Sequence, residues 1–140
     1  MKLSQSEINE FLDGVHIARV ATTRPDGRPH IAPVWYLWED DTLYFESESR
    51  TVKTRNLRLN PNIAISIDVT AGGLRLKYVI LEGRVEFIEN LQEVKKLANR
   101  IYSRYVGQEA LDTRPVQEML DLADLIVALK PTRFITMDYL

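Results

Sequence analysis

Cysteine is absent from this 140-residue chain. That removes disulfides, thiolate zinc sites, cysteine-held iron–sulfur clusters and any cysteine nucleophile. Also missing is a run of about 18 apolar residues, the length that crosses a bilayer. The first residues carry a polar helix signal and no charged-then-apolar leader, so neither a membrane span nor a signal peptide is expected, and the expected location is cytoplasmic. Histidine occurs only at His16 and His30, with no ligand spacing between them, so no metal site is expected. Neither sign of charge dominates: 18 basic against 20 acidic residues give a net charge of -2, which argues against nucleic acid as a partner. No G-x-S-x-G or His-Glu-x-x-His motif occurs, which leaves hydrolase chemistry without its usual signals. What is present is 45% hydrophobic content, enough for one globular domain over residues 1–140.

The periodicities are mostly those of strands. Ser4-Gln5-Ser6-Glu7 fits a capping box ahead of Ile8, Phe11 and Leu12, predicting a short helix that Gly14 ends. Val15 to Thr23 and His30 to Trp38 read as two strands joined by the turn Arg24-Pro25-Asp26-Gly27-Arg28-Pro29. Glu39-Asp40-Asp41 makes a second, solvated turn before a strand from Thr42 to Ser47. Ile63, Ile65, Ile67 and Val69 share one face of a further strand, and Leu74 to Glu89 forms a long one with Gly83 as a bend. Leu91, Val94, Leu97, Ala98, Ile101 and Tyr105 follow a helical period over about fourteen residues. Pro115 opens another helix through Leu122. Leu125 to Leu129 and Phe134 to Tyr139 close the chain as strands. The expected architecture is mainly β, a curved sheet of six or seven antiparallel strands with three or four flanking helices.

One segment points to chemistry. Ser47 to Arg58 places hydroxyls and cations at the start of a helix that follows a strand. The first turn of a helix exposes free N–H groups and the positive end of the macrodipole, so Arg50 and Lys53 there call for a compensating anion. A phosphate held by Lys53, Arg50, the hydroxyls of Ser47, Ser49 and Thr51 and backbone amides meets that need; the alternative is a solvated basic face on a short surface helix.

The order of these features, with Arg-Pro-Asp-Gly-Arg-Pro, Pro-Val-Trp-Tyr, Leu-Tyr-Phe, Lys-Thr-Arg-Asn-Leu and Leu-Glu-Gly in succession, resembles the pyridoxamine 5'-phosphate oxidase-like split-barrel proteins. The short branch that includes F420-dependent enzymes is the most similar. The resemblance implies a Greek-key-like split β-barrel and a homodimer with FMN, or alternatively F420, at the subunit interface. It implies that Lys53, Arg50, Ser47 and Ser49 hold the cofactor phosphate, with His30 assisting at the phosphate or ribityl chain. Ala32, Pro33, Val34 and Trp35 would then run beside the ring, and Tyr78 would reach it from the second subunit. Trp35 stands where vitamin B6 oxidases carry a substrate-binding lysine, which argues against pyridoxamine phosphate as substrate. The implied activity is an FMN-binding oxidoreductase acting on a small molecule. The alternatives are an F420-dependent reductase or a flavin carrier without turnover.

Overall fold

The computed structural model describes residues 2–139. Helix α1 (Gln5–Leu12) carries the capping box, with Ser4 and Glu7 bonded to each other's backbone, and buries Ile8, Phe11 and Leu12. Strands β1 (Ala18–Thr23) and β2 (Pro29–Val34) form a hairpin, as do β3 (Leu37–Glu39) and β4 (Thr42–Ser47). The turn of the second hairpin holds Asp40 and Asp41 at φ 51° and 56°, the left-handed pair a two-residue type I′ turn requires. Helix α2 (Val52–Leu59) leads to β5 (Asn62–Thr70) and β6 (Leu76–Ile88). Then come α3 (Leu91–Leu111), α4 (Arg114–Leu122), β7 (Leu125–Leu129) and β8 (Arg133–Asp138).

All pairings are antiparallel, in the order β2-β1-β5-β6-β7-β4-β3, with β8 joined to β6. The long strand β6 makes this possible. Its first part lies between β5 and β8, and its last residues, Val85 to Ile88, pair instead with β7. The change falls at Gly83, where a Cβ would stand 2.9 Å from Leu129 Cδ1 and 3.4 Å from the Lys130 carbonyl oxygen. Only a glycine lets β7 and the following loop approach so closely. The sheet curls round a core containing Val20, Tyr36, Phe45, Ile65, Ile67 and Leu81 but does not close, so the barrel is split. A second apolar cluster, with Val94, Ala98, Ile101 and Tyr102, packs α3 against β4 and β7.

The mainly β, split antiparallel architecture is as the sequence predicts, with differences in detail. Among the described residues there are eight strands and four helices. The extra strand arises because His30 to Trp38 is not continuous: the chain breaks at Trp35 and Tyr36, and only Leu37–Glu39 resumes pairing. The first strand begins at Ala18 instead of Val15. Helix α3 runs on to Leu111, past Gly107 at φ 79°, where it kinks.

Candidate functional site

The break between β2 and β3 is made by tertiary hydrogen bonds. The Tyr36 amide donates to Tyr105 Oη at 3.1 Å, and Tyr105 Oη in turn donates to the His16 carbonyl at 2.6 Å. Tyr36 is fully buried and its hydroxyl donates to the Leu12 carbonyl at 2.8 Å. These bonds draw the backbone off the strand path and leave Trp35 on α3. There its indole stacks on Tyr105, with ring centres 4.8 Å apart and planes 7° apart, and meets Tyr102 edge-on at 5.1 Å. Offset-stacked and edge-on contacts of this kind hold a ring in one orientation.

That fixed indole forms one wall of a cavity of about 330 Å³. Pro33 and Val34 from the end of β2 continue the wall, Glu46 and Lys53 face it from β4 and α2, and Tyr102, Ile17 and Met119 complete it. A smaller lobe of about 210 Å³ adjoins it, sharing Glu46, Lys53, Tyr102 and Met119 and reaching Ser47, Glu48 and Thr51 at the start of α2. Among the described residues, Lys53 is the only cation lining either lobe.

The start of α2 is ordered by hydroxyls. Thr51 is the N-cap and its hydroxyl accepts from the Thr54 amide. Ser47, at 2% exposure, lies 2.7 Å from Thr54 Oγ1 and 3.3 Å from Thr51 Oγ1. Lys53 is the second residue of the helix and half-buried, so its charge does sit in the first turn. Arg50 does not: it precedes the cap and is exposed. Ser49 gives both its amide and its hydroxyl to the Asp124 carboxylate, at 2.9 and 2.7 Å. The hydroxyls of Ser47 and Ser49 are therefore engaged within the protein, and Lys53 is the cation that lines the cavity at the start of α2.

Two acids temper that positive end. The Glu46 carboxylate accepts a 3.0 Å hydrogen bond from Tyr102 Oη. Burial pushes Glu46 above the usual carboxylate range, against the hydrogen bond from Tyr102 and the charge of Lys53. Burial likewise holds the Lys53 ammonium down, while Glu46 and Glu48 favour its charged form. The Tyr102 hydroxyl is pushed up, first by burial and then by Glu46.

Of the residues singled out in the sequence, Pro33, Val34, Trp35 and Lys53 meet in the main cavity, and Ser47 borders the smaller lobe. Ala32 and His30 pair with Val20 and Thr22 and share their inward face, outside the cavity. His30 Nδ1 is buried with no hydrogen-bond partner among the described residues. Tyr78 lies on the outer face of β6, three strands from β2, roughly 14 Å across the sheet. Within one chain it does not reach Trp35. Glu46, Tyr102, Met119 and Ile17 are cavity residues the sequence reading passed over. Tyr102 lies one helical turn beyond Ala98 on the apolar stripe of α3, and that spacing was the available signal.

A sequence profile described as pyridoxamine 5'-phosphate oxidase matches residues 4–138, almost the whole chain. The chain belongs to the pyridoxamine 5'-phosphate oxidase family. Solved structures agree with this family fold. A conserved hypothetical protein from Mycobacterium tuberculosis is similar at a TM-score of 0.83 and 25% identity, over 99% of this chain and 86% of that one. An F420 reductase is similar at a TM-score of 0.73 and 28% identity, over 91% and 94% of the two chains. The heme storage protein from Vibrio cholerae shares the fold at a TM-score of 0.71 and 18% identity, over 96% and 94%. No curated protein matches. No helix among the described residues is long and apolar enough to cross a membrane.

Proposed function

We propose that this protein binds FMN in the cavity between residues 33–35 and Lys53 and acts as an oxidoreductase on a small molecule. One observation carries the reading: a half-buried ammonium and the start of α2 share a cavity with the exposed end of β2 and a fixed indole. The donor set suits a phosphorylated, planar, heteroaromatic group. Lys53 and the first-turn amides would hold the phosphate. The backbone of Pro33 to Trp35 would meet the polar edge of the ring, and Trp35, locked by Tyr105, would shield it from water. Bound FMN supplies the redox centre, so the chain needs no nucleophile or general-base triad of its own.

The outer face of the sheet supports assembly as a homodimer. Residues paired directly across antiparallel strands share a face, which puts Ile31, Pro33, Ala21, Ala64, Ile80, Tyr78 and Ile135 on one side. Ile31 is 65% exposed there. Burying that face against a second copy would bring Tyr78 of one chain toward the cavity of the other, the role the family resemblance implies for it.

The F420 reading has one observation in its favour, the similarity to an F420 reductase. The longer anionic tail of F420 would draw on additional cations. The candidates are Arg55, Arg58 and Arg75, none of which lines either lobe: Arg58 is ion-paired with Glu89 and lies 4.2 Å over Phe87, and Arg55 and Arg75 are exposed outside the cavity. FMN is accordingly the first choice. The test is the visible spectrum and mass of whatever co-purifies with the protein, followed by titration with FMN, F420 and heme. A stoichiometric flavin band and micromolar or tighter FMN binding support the proposal. A heme Soret band or saturable binding of F420 alone would overturn it.

A further inference from the structure

The space assigned to a phosphate carries more negative than positive side-chain charge. Lys53 stands alone against Glu46 and Glu48, and Asp124 holds Ser49 close by. A phosphate monoester carries a charge near −2 above pH 7. Seated on Lys53, it comes beside Glu46, which lines the same cavity. Like charges a few ångströms apart in a half-buried setting repel far more than they do in water. A second strong anion there is disfavoured unless one of the charges already present is neutralised.

The groups that face Glu46 show which charge gives way. From α2 comes Lys53, from its own strand end Glu48, and from α3 Tyr102 and Lys95. Lys53 is the anion's own partner. Lys95 is spent on the carbonyl oxygens of Leu120, Asp121 and Ala123, at 2.6, 3.2 and 2.9 Å. Tyr102 is neutral and already donates its proton to Glu46. Glu46 is the acid that lines both lobes. We propose that Glu46 takes up one proton whenever a phosphate dianion docks on Lys53, so that this site binds the dianion and a proton together. Burial, which already favours the neutral carboxyl, acts in the same direction.

The inference rests on the FMN reading and makes Glu46 a binding residue that sets when the cavity accepts its ligand. Uptake of one proton makes affinity fall by up to about tenfold per pH unit while free Glu46 is ionised. The experiment is calorimetric titration of the full-length protein with FMN between pH 7 and 8, in buffers of different ionisation enthalpy. Riboflavin, which lacks the phosphate, is the control. The expected result is uptake approaching one proton per FMN, none with riboflavin, and an FMN affinity that weakens toward pH 8. Glu46→Gln should abolish the uptake and hold FMN affinity level between pH 7 and 8, where the wild type loses up to about tenfold. Tyr102→Phe, which removes a donor that stabilises the ionised carboxylate, should tighten binding at pH 8. FMN binding without proton uptake, or uptake that persists in Glu46→Gln, overturns the inference and leaves the FMN reading standing. No FMN binding at all defeats both.

Discussion

Tyr105→Phe isolates the device that shapes the cavity wall. The substitution keeps the ring on which Trp35 stacks but removes an oxygen that accepts from the Tyr36 amide at 3.1 Å and donates to the His16 carbonyl at 2.6 Å. Tyr36 has no solvent exposure, so its N–H would be left buried and unsatisfied. That costs about 1–3 kcal/mol. The unfolding entropy of a 140-residue chain is roughly 0.3 kcal/mol per kelvin near the transition, so a loss of about 2 kcal/mol lowers Tm by about 7 °C. The assay is differential scanning calorimetry at fixed protein concentration, with tryptophan fluorescence as a second probe. The expected result is this drop in Tm together with weaker FMN binding, because Trp35 loses its anchored backbone while its stacking partner remains. An unchanged Tm would show that the Tyr36 amide finds another acceptor, and the account of the β2–β3 break would be wrong.

Two further perturbations test other parts of the structure. Gly83→Ala forces a methyl to within 2.9 Å of Leu129 Cδ1 and should destabilise the fold by about 1–3 kcal/mol; a urea midpoint equal to the wild type's would contradict the close approach of β7. Glu46 has a folded-state pKa raised by burial, so its contribution to stability is greatest below the unfolded-state value and is lost as pH rises through the raised one. Glu46→Gln should therefore be more stable than the wild type at pH 7 to 8, with the difference shrinking toward pH 4. A difference that grows on acidification would mean the carboxylate is stabilised, not penalised, in the folded protein.

Much of the barrel was legible because its strands obey a period of two on a one-sided core. Ile63, Ile65 and Ile67 are buried in the order the sequence implies, and Gly83 marks the bend. Where the reading failed, distant contacts outweighed local pattern. Trp35 and Tyr36 are good strand residues, yet hydrogen bonds to Tyr105 and Leu12 pull them out of the sheet. Glu46 has the parity of a solvent-facing strand residue, but α3 covers that face of β4 and brings Tyr102 onto its carboxylate. The placement of the hydroxyls and cations around α2 was only partly legible, for a related reason. Lys53 points into the cavity, whereas Ser47 and Ser49 find their partners in Thr54 and Asp124. Asp124 is 75 residues further along the chain, and nothing local announces it.

The most direct measurement is the structure of the protein saturated with FMN, with Lys53→Ala titrated alongside. Phosphate oxygens should lie about 3 Å from the Lys53 ammonium and the ring along Pro33 to Trp35, and Lys53→Ala should lose at least tenfold in affinity with the missing charge-assisted bond. A saturated complex with the phosphate seated away from α2, and Lys53→Ala binding as tightly as the wild type, would contradict the proposal.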